Sequence, residues 1–457
     1  MNEEAIMIDQ NSLHRGVKMA MDSGEAKTVD EAYALFGSYR IGVCVGAEVA
    51  TSPAHQAAVL SLVNAGRRTF LGGVFVAGVL DVPLLLPSFF GGTTLKEATV
   101  AMGGRLDAAP ADTPMLLVGK PTKAPPSPVV LRLSFNAWAG GVSPLYRAVV
   151  LREHAGDVLG ALLSAGVALS EVFQALRNNG IAARRVSGLS AWNPSSDWTR
   201  TDGVPELSIA PNAVWVLGLG HLGQAFLWAL ALLTHGSAER PRVLLHDFDI
   251  IKRANDSTSL LIDLSMRGRK TRVLARQLES VGIDASLVER PFNGREAIAD
   301  QDPRILFCGV DNGLSRALID QAGFELVVEA GLGNGPIEYQ AMRLHTFPAT
   351  RSAASFWNTT DGGGGVGRQA PAYADLERKG LDDCGVLQIA ERSVGVPFVG
   401  VVAAALALGE ITRTLLGAHR HEVIDLSLRD PGKVAAVRLA NNCIGNPGFL
   451  RLKGSER

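Results

Sequence analysis

Ala213-Val214-Trp215-Val216-Leu217-Gly218-Leu219-Gly220-His221-Leu222-Gly223 decides how this chain folds. Five apolar residues in a row read as a buried strand, and the glycines after them read as a turn that opens a helix over 224–233. This is G-x-G-x-x-G in its required strand–turn–helix setting. Gly218, Gly220 and Gly223 let the backbone approach a phosphate, and His221 sits in the turn as a further nucleotide contact. The helix start adds N–H donors and a partial positive charge. Dehydrogenases share this turn, so it fixes an α/β nucleotide fold more firmly than it fixes a reaction.

Working outward, the next strand is Arg242 to His246, and it ends in Asp247-Phe248-Asp249. An acid at the end of the second strand is placed to bond ribose hydroxyls, which assigns that role to Asp247 with Asp249 beside it. Asn255 follows. Lys270 opens a helix over 271–281 and brings a fixed positive charge. Arg304 to Val310 is another strand, ending in Asp311-Asn312 at the edge where ligands collect in such sheets. In-line attack on a phosphate needs a cation and a held metal. Lys270 and Asp311 supply those two pieces, and hydride transfer needs neither.

With that series in place, the sequence resembles the ubiquitin-activating, ThiF and molybdopterin-synthase adenylyltransferase superfamily. That family has a glycine turn, D-x-D, S-N-x-x-R-Q, a helix lysine and C-x-D-N. Here the counterparts are Gly218 to Gly223, Asp247 and Asp249, Asn255, Lys270, and Cys308-Gly309-Val310-Asp311-Asn312. Gly395-Val396-Pro397-Phe398-Val399-Gly400 before an alanine-rich helix resembles its closing segment, so the likeness spans residues 212 to 417. The resemblance implies a Rossmann-like adenylation domain with a mixed sheet, using ATP and magnesium. Asp247 would hold the ribose, Asn255 and Lys270 would face the phosphates, and Asp311 would hold the metal. The reaction would adenylate the C-terminal carboxylate of a ubiquitin-like protein, releasing pyrophosphate. A conjugating enzyme would be the later partner, as in activating enzymes of bacterial ubiquitin-like conjugation operons. Two positions depart from the pattern. Thr258 stands at the family's arginine and Ala254 at its serine. The missing cation could come from Arg253, Lys252 or an arginine of residues 1–190.

Residues 1–190 read as a further α/β domain without a glycine fingerprint, with strands at 41–46, 74–78, 115–119 and 129–134 and a helix from about 155 to 179. Ala168 to Leu176 resembles Ala407 to Leu415, which suggests a duplicated unit whose first copy is a degenerate adenylation domain. The layout is then 1–190, a linker over 191–211, the adenylation domain over 212–430 with a crossover loop at 351–383, and a C-terminal segment over 431–457. The pairing would be internal or a homodimer. Trp192 and Trp198 in the linker either dock it or mark a partner surface.

Activating enzymes pass the adenylate to a cysteine. Cys384, with Asp383 read as the N-cap of the helix after it, is the first candidate, and Cys443 is the second. Cys44 and Cys308 lie in apolar strands and read as core. Without a thioester the chain would resemble the sulfur-carrier activators, which stop at the adenylate. A NAD-dependent oxidoreductase is the alternative from another class, resting on the turn and Asp247 alone.

Composition narrows the choices. The formal net charge of this 457-residue chain is −1, so it lacks the basic excess of a general nucleic-acid binder. Four scattered cysteines suggest neither a structural zinc site nor a disulfide framework, which fits the cytoplasm. Ala213–Leu233 and Val396–Leu416 are greasy enough to span a bilayer but carry glycines, Glu410 and Arg413. They read as core, with no membrane partner.

Overall fold

A repeated sequence of elements organises the chain. In the computed structural model, which describes residues 11–123, 126–333, 335–357, 370–439, 445 and 447–453, two sheets are built the same way. The first contains β1 (Arg40–Val45), β2 (Gly73–Gly78), β3 (Met115–Val118), β4 (Val130–Phe135), β5 (Ala139–Pro144) and β6 (Ser187–Ser190), ordered β2-β1-β3-β4-β5-β6. A short β7 (Ile209–Pro211) precedes the second sheet. That sheet contains β8 (Ala213–Leu217), β9 (Arg242–His246), β10 (Asp284–Val288), β11 (Ile305–Cys308), β12 (Leu326–Leu332), β13 (Ala341–Phe347), β14 (His421–Ser427) and β15 (Val434–Arg438). Its order is β10-β9-β8-β11-β12-β13-β14-β15, and β16 (Phe449–Arg451) pairs back onto β7.

The helices are α1 (Arg15–Asp22), α2 (Val29–Ser38), α3 (Pro53–Arg67), α4 (Leu95–Ala101), α5 (Val158–Leu176) and α6 (His221–Thr234). They continue with α7 (Lys270–Ser280), α8 (Gly313–Arg316), α9 (Gly335–Glu338), α10 (Pro371–Arg378), α11 (Asp383–Glu391) and α12 (Pro397–Leu415). Strand β1, helix α3 and strand β2 match β8, α6 and β9. On the other side of β1 and of β8, two strands add in parallel and two antiparallel, and the second sheet has β10 and β15 as further edge strands. The fold is mixed α/β, with parallel strands at the heart of each sheet.

Helices α5 and α12 are the matching long helices, 19 residues each. The similar segments begin at Ala168 and Ala407, each ten residues past its helix start. The two helices pack on each other and on α3 and α6. A Cβ on Gly166 would strike Val402, so glycine sets how closely they approach. Both are long and apolar enough to cross a bilayer, and both lie buried at the centre of the molecule. Their hydrophobicity reflects burial on every side rather than an outward apolar face.

Polar side chains of α3 reach across this centre. Asn64 Nδ2 donates to Leu260 O (3.0 Å), and Trp228 Nε1 donates to Ser61 Oγ (3.0 Å). Arg68 is 1% exposed and donates to Asp256 O (2.7 Å) and Ile262 O (2.7 Å), while Arg67 pairs with the Asp256 carboxylate (2.9 Å). The segment carrying Asn255 and Thr258 is thus held by the first half. Truncating Arg68 would leave these carbonyls and part of the Asp256 charge without their partner, at a cost of about 3 kcal/mol. Arg68→Ala should lower the chemical-denaturation midpoint accordingly, and an unchanged midpoint would refute the latch.

The strand ends of the first half are already filled. Gly46 after β1 and Gly119 after β3 correspond to Gly218 and Gly309. The Glu48 carboxylate sits over them, accepting from Lys120 N (3.0 Å), and a Cβ on Gly46 would come within 2.5 Å of it. An acidic side chain lies where the second half keeps open space.

Several expectations change. The segment 351–383 is not one irregular loop, because α10 lies inside it and docks on the N-terminal helices. Asp375 Oδ2 accepts from Val29 N (3.2 Å), Tyr373 Oη donates to Asp22 (2.5 Å), and Lys379 pairs with Asp30 (2.7 Å). The glycine run 362–365 and Cys443 fall outside the described residues. Helices α1 and α2 carry no apolar run strong enough to announce them in the sequence. Trp198 is 6% exposed over Gly141 and Gly188, and Trp192 meets Trp138 edge to face, so both dock the linker.

Candidate functional site

The carboxyl ends of β9, β8 and β11 lie side by side, and the predicted site residues gather there. Gly218 has φ +85°, and a Cβ on it would come within 2.8 Å of Val310 Cγ1. A Cβ on Gly223 would collide with Gly218 O. Gly220 faces open space, with nothing within 4 Å of a Cβ built there. The turn is therefore tight on its inner side and clear on its outer side, above the start of the 14-residue helix α6.

On the β9 side, Asp247 braces the turn. Its Oδ2 accepts from Leu219 N (2.7 Å) and its Oδ1 from Asp249 N (2.7 Å). Lys270, 6% exposed at the start of α7, reaches back to both acids, with Nζ 2.7 Å from Asp249 Oδ2 and 3.8 Å from Asp247 Oδ2. This ammonium offsets the acids' charge at a place an anionic ligand must approach.

On the β11 side stands Asp311, and the cation that feels it comes from an unexpected element. Arg15, the first residue of α1, feels Asp311 and Arg392, the residue that ends α11. Burial lowers the Arg15 pKa most, Asp311 opposes this, and Arg392 adds to it. Arg15 Nε has no hydrogen-bond partner among the described residues. Arg15 thus brings a buried cation from the first 190 residues into the field of Asp311. Nothing local in the sequence marks Arg15, because its meeting with Asp311 is set by tertiary docking of α1.

Other expected residues are placed differently. His221 turns away from the open side of the turn: its ring packs against Gly400 and Gly395 of the segment entering α12 and bonds to the Pro397 backbone. The small side of α12 there receives the ring, so His221 is a packing residue rather than a direct nucleotide contact. The Asn255 side-chain oxygen accepts from Lys252 N (2.8 Å), and the Asn312 oxygen caps α8 by accepting from Leu314 N (2.8 Å). Asn255 and Asn312 shape the loops on either side of the turn. The N-cap of α11 is Asp382, which accepts from Gly385 N (2.8 Å), one residue before the expected Asp383. Cys384 is exposed in the first turn of α11, with Gln388 Nε2 donating to its Sγ (3.6 Å). Cys308 is buried, and burial pushes its thiol up to about 12. Cys44 is likewise buried among apolar neighbours.

Buried imidazoles give this region an acid-labile edge. Burial drives His14 and His221 down to about 4; Asp256 opposes it at His14, and Arg15 adds to it at His221. The unfolded chain takes up these protons near 6.5, whereas the native state refuses them until about 4. Stability then rises with pH across that window and falls as pH drops through it. The thermal midpoint at pH 5 should lie several degrees below that at pH 7, with a smaller gap in His221→Asn. Equal midpoints at the two pH values would refute neutral buried rings.

Comparison with known proteins corrects the expected family. A model of the BilD N-terminal domain matches residues 40–191, and a model of the BilD C-terminal domain matches residues 210–418. The bacterial E1-like protein BilD of Collimonas sp. (strain OK412) is 39% identical over 424 residues, covering 92% of each chain. Among solved structures, PaaA is 12% identical with a TM-score of 0.33, over 50% of this chain and 64% of its own. Escherichia coli MccB with succinimide is 12% identical with a TM-score of 0.33, over 68% of this chain and 95% of its own. Likenesses that remote carry nothing further. The ThiF-type assignment rested on a strand–turn–helix series that many α/β nucleotide folds share, and Thr258 and Ala254 already broke its most specific element. Both halves match models of another family, and the chain belongs to the BilD family of bacterial E1-like proteins.

Proposed function

We propose that this chain is an ATP-using adenylyltransferase that activates the C-terminal carboxylate of a ubiquitin-like protein. The observation that carries the reading is the pair of charged groupings flanking the Gly218 turn: Asp247, Asp249 and Lys270 on one side, Asp311 with the buried Arg15 within its field on the other. The E1-like relative supports the same chemistry. The open face at Gly220 leaves room for phosphates, and Asp247 is rigid enough to accept from ribose hydroxyls. A single carboxylate, Asp311, suits magnesium, which keeps most of its shell as water and phosphate oxygens. Bound there, the metal would neutralise charge on the leaving pyrophosphate. Arg15 would add fixed positive charge on the same side. A carboxylate oxygen attacks the α-phosphorus and the bond to the β-phosphate oxygen breaks, giving acyl-adenylate and pyrophosphate. The test is ATP–pyrophosphate exchange with ubiquitin-like proteins supplied as substrate. Tight NADH binding with no exchange for any of them would sink it.

We further propose that the acyl group passes to Cys384 as a thioester, releasing AMP, and then to a conjugating enzyme. The thiol is exposed in the first turn of α11. Cys384→Ser should leave exchange within about two-fold of wild type. It should also abolish the thiol-sensitive adduct on denaturing gels. Persistence of that adduct would exclude Cys384.

A further inference from the structure

Beyond the nucleotide site, the same edge of the second sheet holds a cavity of about 500 Å³ between β12, β13 and the chain after β13. Its floor is a cross-strand pair. Glu329 and His345 are register partners on β12 and β13, and His345 Nδ1 lies 2.9 Å from Glu329 Oε2. Both are buried, at 1% and 5% exposure. Phe356 and Trp357 form one wall, their ring centroids 4.4 and 5.0 Å from that of His345. Arg316 forms another wall, over the Trp357 ring, with its Nε 3.3 Å from Glu329 Oε1.

Two polar atoms here lack hydrogen-bond partners among the described residues: Glu329 Oε1 and His345 Nε2. The Arg316 Nε–H is spent on Val310 O (2.7 Å), so the guanidinium meets Glu329 Oε1 as charge only. An ionised carboxylate can only accept, so Nδ1 of His345 donates to Glu329, and in the neutral ring Nε2 is then an acceptor. Buried acceptors without donors are rare in folded proteins and costly to keep. Two of them beside one cavity ask for a ligand that brings N–H or O–H groups.

The cavity adjoins the chemistry. Arg316 belongs to α8, which begins two residues after Asp311, and it grips the carbonyl of Val310, the residue before Asp311. The β9 side of the Gly218 turn is taken by Asp247, Asp249 and Lys270. A chain terminus brought to Asp311 has the β12–β13 side left for its preceding residues. At Gly331 a Cβ would come within 3.1 Å of Arg316 Nη1, so glycine there keeps this passage clear.

The geometry points to a side-chain pocket that reads a hydrogen-bond-donating residue in the tail of the protein being activated, through His345 Nε2 and Glu329 Oε1. The occupant rests on the adenylation reading, while the pocket's preference for donors rests on its own atoms. The tail residue is hydroxyl- or amide-bearing, and its apolar part lies against Phe356 and Trp357. An isostere lacking the donor would leave both acceptors buried and unfilled, and sites of that kind discriminate strongly.

The test uses the full-length chain and fluorescein-labelled hexapeptides with free C-terminal carboxylates. At each of the last five positions, Thr is compared with Val, Tyr with Phe, and Asn with Leu. Anisotropy should show that one position prefers the donor by about ten-fold or more. His345→Phe, which keeps the aromatic stack, should erase that preference without lowering ATP affinity. Glu329→Gln, which frees the ring to turn, should weaken it by at least three-fold. Absence of any donor preference in wild type, or its survival in both folded variants, overturns the pocket, as does failure of every peptide to bind. A His345-dependent preference with no pyrophosphate exchange on any peptide or protein would leave the pocket standing and remove the adenylation reading instead.

Discussion

Asp311→Ala is expected to reduce ATP–pyrophosphate exchange about 1000-fold. Asp311 follows β11 at the crevice, and the buried Arg15 lies within its field. Its loss removes the carboxylate that would hold the metal, and the barrier rises by several kcal/mol. Asp311→Asn should fall between the two, since an amide oxygen binds magnesium more weakly. Raised magnesium should recover part of the Asn variant's activity and none of the Ala variant's. Exchange within three-fold of wild type in Asp311→Ala would remove the acid from the mechanism.

Arg15→Ala should cost about 100-fold in exchange, chiefly in kcat. The side chain belongs to a helix of the first half yet faces the second half's acid. A fixed cation aimed at charge that grows during reaction is worth more in the transition state than in substrate binding. Arg15→Lys should recover only part, because an ammonium lacks the guanidinium's paired donors. A purely structural Arg15 would instead shift the melting temperature and spare the rate, and that outcome would return the missing cation to Lys252 or Arg253.

The sequence displayed some of this clearly. The strand–turn–helix at Gly218 was legible because glycine spacing and an apolar run are both local signals. Asp247, Lys270 and Asp311 were legible because strand ends and helix starts place side chains predictably. The duplication showed through α5 and α12, where burial on all sides leaves the same alanine-rich text twice. Arg15 was not legible, since its significance depends on a contact with residue 311. The His345–Glu329 pair depends on antiparallel register, which hydrophobic pattern does not fix for a strand buried on both faces. His221 was misread because the glycine turn was credited with every side chain inside it, while the helix α12 that receives the ring lies far along the chain. The one-residue slip at the α11 cap followed from two adjacent aspartates with equal capping chemistry.

The docking of α10 onto α1 and α2 has a consequence for biosynthesis. Tyr373 meets Asp22, and Asp375 caps the amide of Val29, across roughly three-quarters of the polypeptide. Helices α1 and α2 are synthesised well before α10, so these particular contacts close only after β13 has emerged. Contacts of such long sequence separation form slowly. The docking of α10 is therefore a late step in synthesis, and α1 and α2 gain these clamps only once translation has passed residue 379.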